Sequence, residues 1–125
     1  MPALSKETAP TVADFGKALG QGGDLAGYTA EFVTIRESHS LADVLKGLPG
    51  DSCQCPHWGY MLTGQITVSY GDHQETYKAG DAYYMPPGHV PTAVAGSEFL
   101  QFSPTDELAV TLAAIQANAA ALQSS

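Results

Sequence analysis

A chain of 125 residues has room for one domain with one core. With 44% hydrophobic and 14% charged residues, it is too apolar to be a disordered chain. A formal net charge of −8 with only five Lys and Arg excludes nucleic acid and anionic membrane surfaces as partners, because both are bound through clustered basic residues.

Residues 1–13 are polar, carry two Pro and show no period, so they read as a loose arm. Asp14 to Leu19 reads as a turn of helix capped by Asp14, and GQGGDLAG (20–27) as a Gly-rich loop. Residues 1–27 are thus expected to form an N-terminal arm. Tyr28 to Arg36 is rich in β-branched and aromatic residues and predicts a strand. A short helical turn begins at Ser40, which with Asp43 resembles a capping box. Leu41, Val44, Leu45 and Leu48 share one of its faces, and Gly47, Pro49 and Gly50 end it.

From Cys53 the texture changes to short strands and tight turns. Residues 53–63, 65–70, 73–78, 82–85, 90–95 and 97–103 read as strands. Gly64, Gly71-Asp72, Gly80-Asp81, Pro86-Pro87-Gly88 and Gly96 punctuate them. Residues 28–104 are therefore expected as a barrel, and residues 105–125 as a C-terminal helix. Leu108, Leu112, Ile115, Ala119 and Leu122 line one face of that helix. The stripe either docks on the barrel or forms a dimer contact.

No apolar run approaches the about 18 residues needed to span a bilayer. The first residues lack the apolar run of a signal peptide, so a cytoplasmic location is the default expectation. GQGGDLAG is followed by a strand rather than a helix, which removes the nucleotide-binding reading.

The turn residues between Asp51 and Ala95 fall in a particular order. Gly64 lies inside YMLTGQITV, and Gly80, Pro86 and Gly88 lie inside GDAYYMPPGH. With these spacings the stretch resembles the cupin superfamily. In that family a first motif runs from Gly through His-x-His and Glu to a second Gly. A second motif runs Gly, five residues, Pro-x-Gly, two residues, His. The resemblance implies an all-β fold: a single jelly-roll barrel with short N-terminal elements and a C-terminal α-helix. It also implies a homodimer and a metal held by three His and one Glu. The ligand slots depart from that pattern. Counting back from Gly64, the Glu slot falls on His57 and the His-x-His slots on Asp51 and Cys53. The second-motif His slot falls on Pro91, with His89 two residues earlier.

An extended strand alternates faces, so Cys53, Cys55 and His57 are expected on one side, with Asp51 beside them. His89 shares the parity of the slot at 91 and is expected to join them. Two thiolates and two imidazoles make the set zinc favours, while iron or copper would also suit the sulfurs. The candidate metal ligands are Cys53, Cys55, His57 and His89. Plain burial is the competing reading, since free Cys packs as a small hydrophobe and His57 could be a hydrogen-bonded core residue. A Cys53–Cys55 disulfide ranks last, because so tight a loop strains the bond. Asp51, Met61, Tyr83 and His39 are expected around the pocket. Tyr83 and Tyr84 must face opposite ways, and His73 reads as a solvated turn residue.

Two functions follow as expectations. One is a metal-dependent oxygenase or isomerase acting on a small organic molecule in the barrel. The other is a non-catalytic cupin that senses or binds a metal or small molecule.

Overall fold

The computed structural model describes residues 3–124; residues 1, 2 and 125, assigned above to the arm and the helix, lie outside the described residues. Among the described residues, ten strands form two antiparallel sheets. The larger runs β1 (Thr11–Asp14), β2 (Ala18–Leu25), β3 (Tyr28–Ile35), β10 (Glu98–Pro104), β5 (His57–Thr63) and β8 (Ala82–Met85) in spatial order. The smaller runs β4 (His39–Ser40), β9 (Val90–Ala93), β6 (Gln65–Ser69) and β7 (Gln74–Lys78). One α-helix among the described residues, α1 (Thr105–Ser124), follows the last strand. This is the all-β jelly roll expected. No helix among the described residues is long and apolar enough to cross a membrane.

The first 27 residues differ from expectation. The expected arm contributes β1 and β2 to the larger sheet. Asp14 caps no helix; its Oδ1 accepts from the Gly16 N–H at 2.9 Å and from Arg36 at 2.8 Å in a hairpin turn. The Gly-rich segment is strand β2 rather than a loop. A Cβ at Gly22 would lie 2.3 Å from the Ala30 carbonyl, so the close approach of β3 requires glycine there. Ala26 and Gly27, with φ of 55° and 91°, turn the chain into β3. No capping box forms at Ser40, whose hydroxyl accepts from the Ala42 N–H while Asp43 pairs with Lys46.

Two buried clusters fill the interior. Between the sheets lie Ile35, Met61, Ile66, Val68, Tyr83, Met85, Ala93 and Phe99. Beyond them, at one end, lie Leu45, Cys53, Cys55 and Leu108, joined by Leu41, Leu48, Leu112 and Ile115. Leu108, Leu112 and Ile115 of the α1 stripe therefore dock in cis, whereas Leu122, expected on the same stripe, is exposed. The start of α1 is tied to the β2–β3 hairpin by Thr105, which donates to Asp24 Oδ1 at 2.7 Å. Further along, the Asn118 amide donates to the Val44 and Lys46 carbonyls, both at 2.8 Å. Val110, on the side of α1 away from that cluster, is 64% exposed.

Candidate metal centre

Cys53 and His89 meet across an isolated bridge, with the Cys53 N–H donating to the His89 carbonyl at 2.9 Å. His57 opens β5, opposite Met85 on β8. All three side chains turn to the same buried space, and one donor atom from each lies within 4.8 Å of the other two. The imidazole rings of His57 and His89 sit 4.9 Å apart at 59°.

The neighbours of each donor decide which atom is free. His89 Nδ1 lies 2.7 Å from the Pro86 carbonyl, which can only accept, so that nitrogen carries the proton. This leaves Nε2 of His89 as an acceptor, and it is buried without a partner among the described residues. His57 Nδ1 is held by the Ser103 hydroxyl at 2.6 Å, and its Nε2 faces the Cys53 sulfur at 3.7 Å. Cys53 Sγ also meets the Thr111 hydroxyl of α1 at 3.4 Å. Each imidazole is thus anchored through its far nitrogen, as metal-ligating histidines are, and the Cys53 sulfur is positioned by Thr111 directly.

Burial sets the protonation of the cluster. It pushes His57 down to about 3, with His89 adding to the effect, and lowers His89 against the opposing hydrogen bond to Pro86. Both imidazoles are therefore neutral at pH 7 and have a lone pair to offer. Burial raises the Cys53 thiol, opposed by the Thr111 and Cys55 hydrogen bonds. Cys55 is pushed up to about 12, by burial first and then by the neighbouring Cys53 and Glu107.

The residues present fit a transition metal. One soft sulfur and two neutral imidazoles form a donor set of the kind used by zinc, copper and iron. The orphaned Nε2 of His89 would otherwise cost free energy as a buried acceptor left unmet.

Of the residues read from sequence, Cys53, His57 and His89 come together and Cys55 stays apart from that triplet. Cys55 is buried beside Leu45 and Leu108, its thiol directed to the Pro56 carbonyl at 3.5 Å. The parity rule fails there because Pro56 has no N–H for a ladder, and residues 54–56 leave the sheet before β5 begins. Asp51 is exposed and turns back to accept from the Gly47 N–H. His39 lies on β4 of the smaller sheet, with its ring on the Glu37 carbonyl. Met61 and Tyr83 belong to the apolar core, and the Tyr83 hydroxyl donates to Gln101 at 2.7 Å. Tyr83 points inward and Tyr84 outward.

Sequence reasoning missed Ser103, Thr111 and the Pro86 carbonyl. Ser103 lies 46 residues from His57, and Thr111 lies 58 residues from Cys53, so nothing local marks them. A second omission is Glu31. It lies on the inner face of β3, opposite Gln101, and no hydrogen bond or ion pair among the described residues engages its carboxyl. Burial raises its pKa.

No family model and no curated protein matches this sequence. Solved structures do match its shape. An RmlC-like cupin from Shewanella frigidimarina aligns at a TM-score of 0.52 and 19% identity, over 75% of this chain and 83% of that one. A cupin superfamily protein from Desulfitobacterium hafniense aligns at a TM-score of 0.55 and 12% identity, over 74% and 81%. The chain has the cupin fold. A mutant of Bacillus subtilis oxalate decarboxylase aligns at a TM-score of 0.60 and 15% identity, over 81% of this chain but only 28% of that protein. Within this cupin fold, Gly64 and the Pro86–Gly88 corner do the turning that their spacing promised. Gly64 has a φ of 71°, and a Cβ on it would strike the Ser97 hydroxyl at 2.3 Å.

Proposed function

We propose that this cupin-fold chain binds one divalent transition metal ion, zinc foremost, through Cys53 Sγ, His57 Nε2 and His89 Nε2. The observation that carries the proposal is the buried, unpartnered Nε2 of His89 beside two further donors. Bound there, a divalent ion would supply a Lewis acid with one position left for water or a small organic molecule, the arrangement of a metal-dependent oxygenase or isomerase. Pro86 holds His89 in the ligating tautomer, Ser103 anchors Nδ1 of His57, and Thr111 holds the sulfur. The helix shuts the site from solvent, so a substrate must displace α1 or enter through the barrel.

The interior also bears on the kind of molecule. Four of the five Lys and Arg are exposed, and Lys6 pairs with Glu98. The unpaired Glu31 carboxyl faces inward instead. This argues against an oxalate-like dianion and for a ligand that is neutral or carries N–H donors.

A second reading is a non-catalytic metal sensor or binder, in which Cys55 turns in as a fourth ligand and closes the site. Cys55 lies in the same buried cluster as Cys53, two residues along the chain, and this favours it.

Purified untagged protein loaded with zinc, iron or copper, assayed by elemental mass spectrometry, tests the site. Wild type is expected to hold one metal per chain. Cys53→Ser, His57→Ala and His89→Ala are expected to lose it. A wild-type chain that stays metal-free after loading with all three defeats the proposal. Cobalt substitution separates the two readings. Thiolate-to-cobalt absorption of one sulfur, unchanged in Cys55→Ser, supports the open site; absorption of two sulfurs, halved in that variant, supports the closed one.

A further inference from the structure

Antiparallel pairing puts facing residues on the same side of a sheet. One row across the inner face of the larger sheet runs Gly22, Glu31, Gln101, Gly59 and Tyr83, from β2 to β8. Within it, Gln101 and Tyr83 are tied together. The Tyr83 ring crosses the bare backbone of Gly59, where a Cβ would lie 2.4 Å from its hydroxyl, and donates to Gln101 Oε1 at 2.7 Å. An amide oxygen has two lone pairs, so Gln101 Oε1 keeps one to offer. The Glu31 carboxyl lies over Gly20, where a Cβ would stand 2.6 Å from Oε2. Glu31 is partly rather than fully buried, which leaves it within reach of a small solute. The next row along the strands, about 7 Å away, holds Thr29, Ser103, His57 and Met85, and with them the metal cluster.

A carboxyl withdrawn from water needs a counter-charge, a proton or hydrogen-bond donors. The described residues supply no counter-charge. Lys6 pairs with Glu98, Arg36 with Asp14 and Lys46 with Asp43, while Lys17 and Lys78 are exposed. His73 is held by Asp72 and Glu75, and His39 by the Glu37 carbonyl. Burial raises the Glu31 pKa, as it does for a carboxyl left without a counter-ion.

We propose that Glu31 and Gln101 bind the ammonium end of a small primary amine, which supplies the missing counter-charge. A protonated primary amine carries three N–H donors and no acceptor. The two carboxylate oxygens of Glu31 and the spare lone pair of Gln101 Oε1 are a matching set of acceptors. They stand on facing residues of one ladder, whose Cβ atoms lie about 5 Å apart. Tyr83 is the positioning residue, because its hydrogen bond fixes which end of the Gln101 amide is the oxygen. A carboxylate ligand would meet Glu31 as a like charge, so the site selects against it. An amine held here lies one row from the metal proposed above, and this choice of ligand class rests on that reading; binding at Glu31 itself needs no metal.

The probe is n-propylammonium, with n-propanol and propionate as its neutral and anionic counterparts of similar size. Each is titrated into the metal-free full chain, with the Glu side-chain carboxyls labelled with carbon-13. The Glu31 resonance is the one absent from Glu31→Gln. Propylammonium is expected to move it saturably, with half-saturation at roughly millimolar concentration for so small a probe, and to raise the thermal midpoint. Propanol and propionate are expected to do neither. Glu31→Gln keeps the shape and removes the charge, and is expected to lose at least about tenfold in affinity by thermal shift. Glu37→Gln, at an exposed carboxylate, is expected to keep wild-type affinity, which separates the site from general attraction to a chain of net charge −8. Tyr83→Phe frees the Gln101 amide and is expected to weaken binding about threefold; it carries the test if Glu31→Gln fails to fold. A Glu31 resonance that does not move saturably overturns the proposal. So does propionate bound as tightly as propylammonium, an affinity unchanged in Glu31→Gln, or an equal loss in Glu37→Gln. Zinc loading is measured apart from this titration. A chain that binds propylammonium but no metal keeps this site and loses the metal reading, and the converse result does the opposite.

Discussion

The two buried clusters of this molecule are held by different physics. Between the sheets, Met61, Val68, Met85 and Phe99 pack into one apolar cluster. There shape and volume suffice, and nothing is left unmet. Under α1, Cys53, His57 and His89 are just as buried, but each needs a polar partner. Ser103, Thr111 and Pro86 supply one apiece, and His89 Nε2 remains without. The apolar cluster is a scaffold that burial alone explains. The polar one is costly to build, which is why a ligand for its free donors is the economical explanation.

Four measurements break or sharpen this contrast. The largest effect belongs to the scaffold. Met61→Ala removes a fully buried side chain and is expected to cost about 2–5 kcal/mol in denaturant unfolding, with metal per folded chain unchanged. Loss of metal binding in the folded fraction would couple the two clusters after all.

Acid comes next. Unfolded His57 takes up a proton below about 6.5, whereas the buried imidazole does so only near about 3. The unfolded chain therefore binds more protons across that interval, and stability falls as pH drops from about 6.5 towards about 3. His57→Gln is expected to flatten that part of the metal-free pH–stability curve. An unaltered slope would remove His57 as the acid-sensitive group.

The third effect is metal itself. Zinc at a hundredfold excess over its Kd is expected to stabilise wild type by about 2.7 kcal/mol in thermal unfolding, and His89→Ala by nothing. Equal stabilisation of both would place the metal elsewhere.

The smallest effects distinguish two hydroxyls. Tyr83→Phe and Thr111→Val each remove a part-buried or buried hydrogen bond, at about 0.5–1.5 kcal/mol. Only Thr111→Val is expected to weaken metal affinity, by about 10- to 100-fold, because only Thr111 touches a ligand atom. Metal titrations on the two variants read the difference.

Much of this fold was legible residue by residue. Gly64, Gly80, Pro86 and Gly88 carry backbone demands that hold wherever the chain goes, and three of them are glycines with positive φ. Strand alternation correctly turned Tyr83 in and Tyr84 out. The same rule failed at Cys55, because it assumes a continuous strand and Pro56 interrupts this one. The strand at 18–25 was illegible for the opposite reason. Its glycines mark a loop by local preference, but here they admit the close approach of β3.

Local sequence was enough to specify turns, face alternation, an apolar helix stripe and the donor types Cys and His, since each depends on residues within a few positions. Only the tertiary structure decided that Cys53, His57 and His89 form the cluster, that Ser103 and Thr111 orient it, and that α1 closes over it in cis. Those contacts join residues up to 81 positions apart, and their partners are chosen by sheet register and packing, which no local pattern records. The row that joins Glu31 to Gln101 and Tyr83 likewise emerges only when β3, β10, β5 and β8 lie side by side.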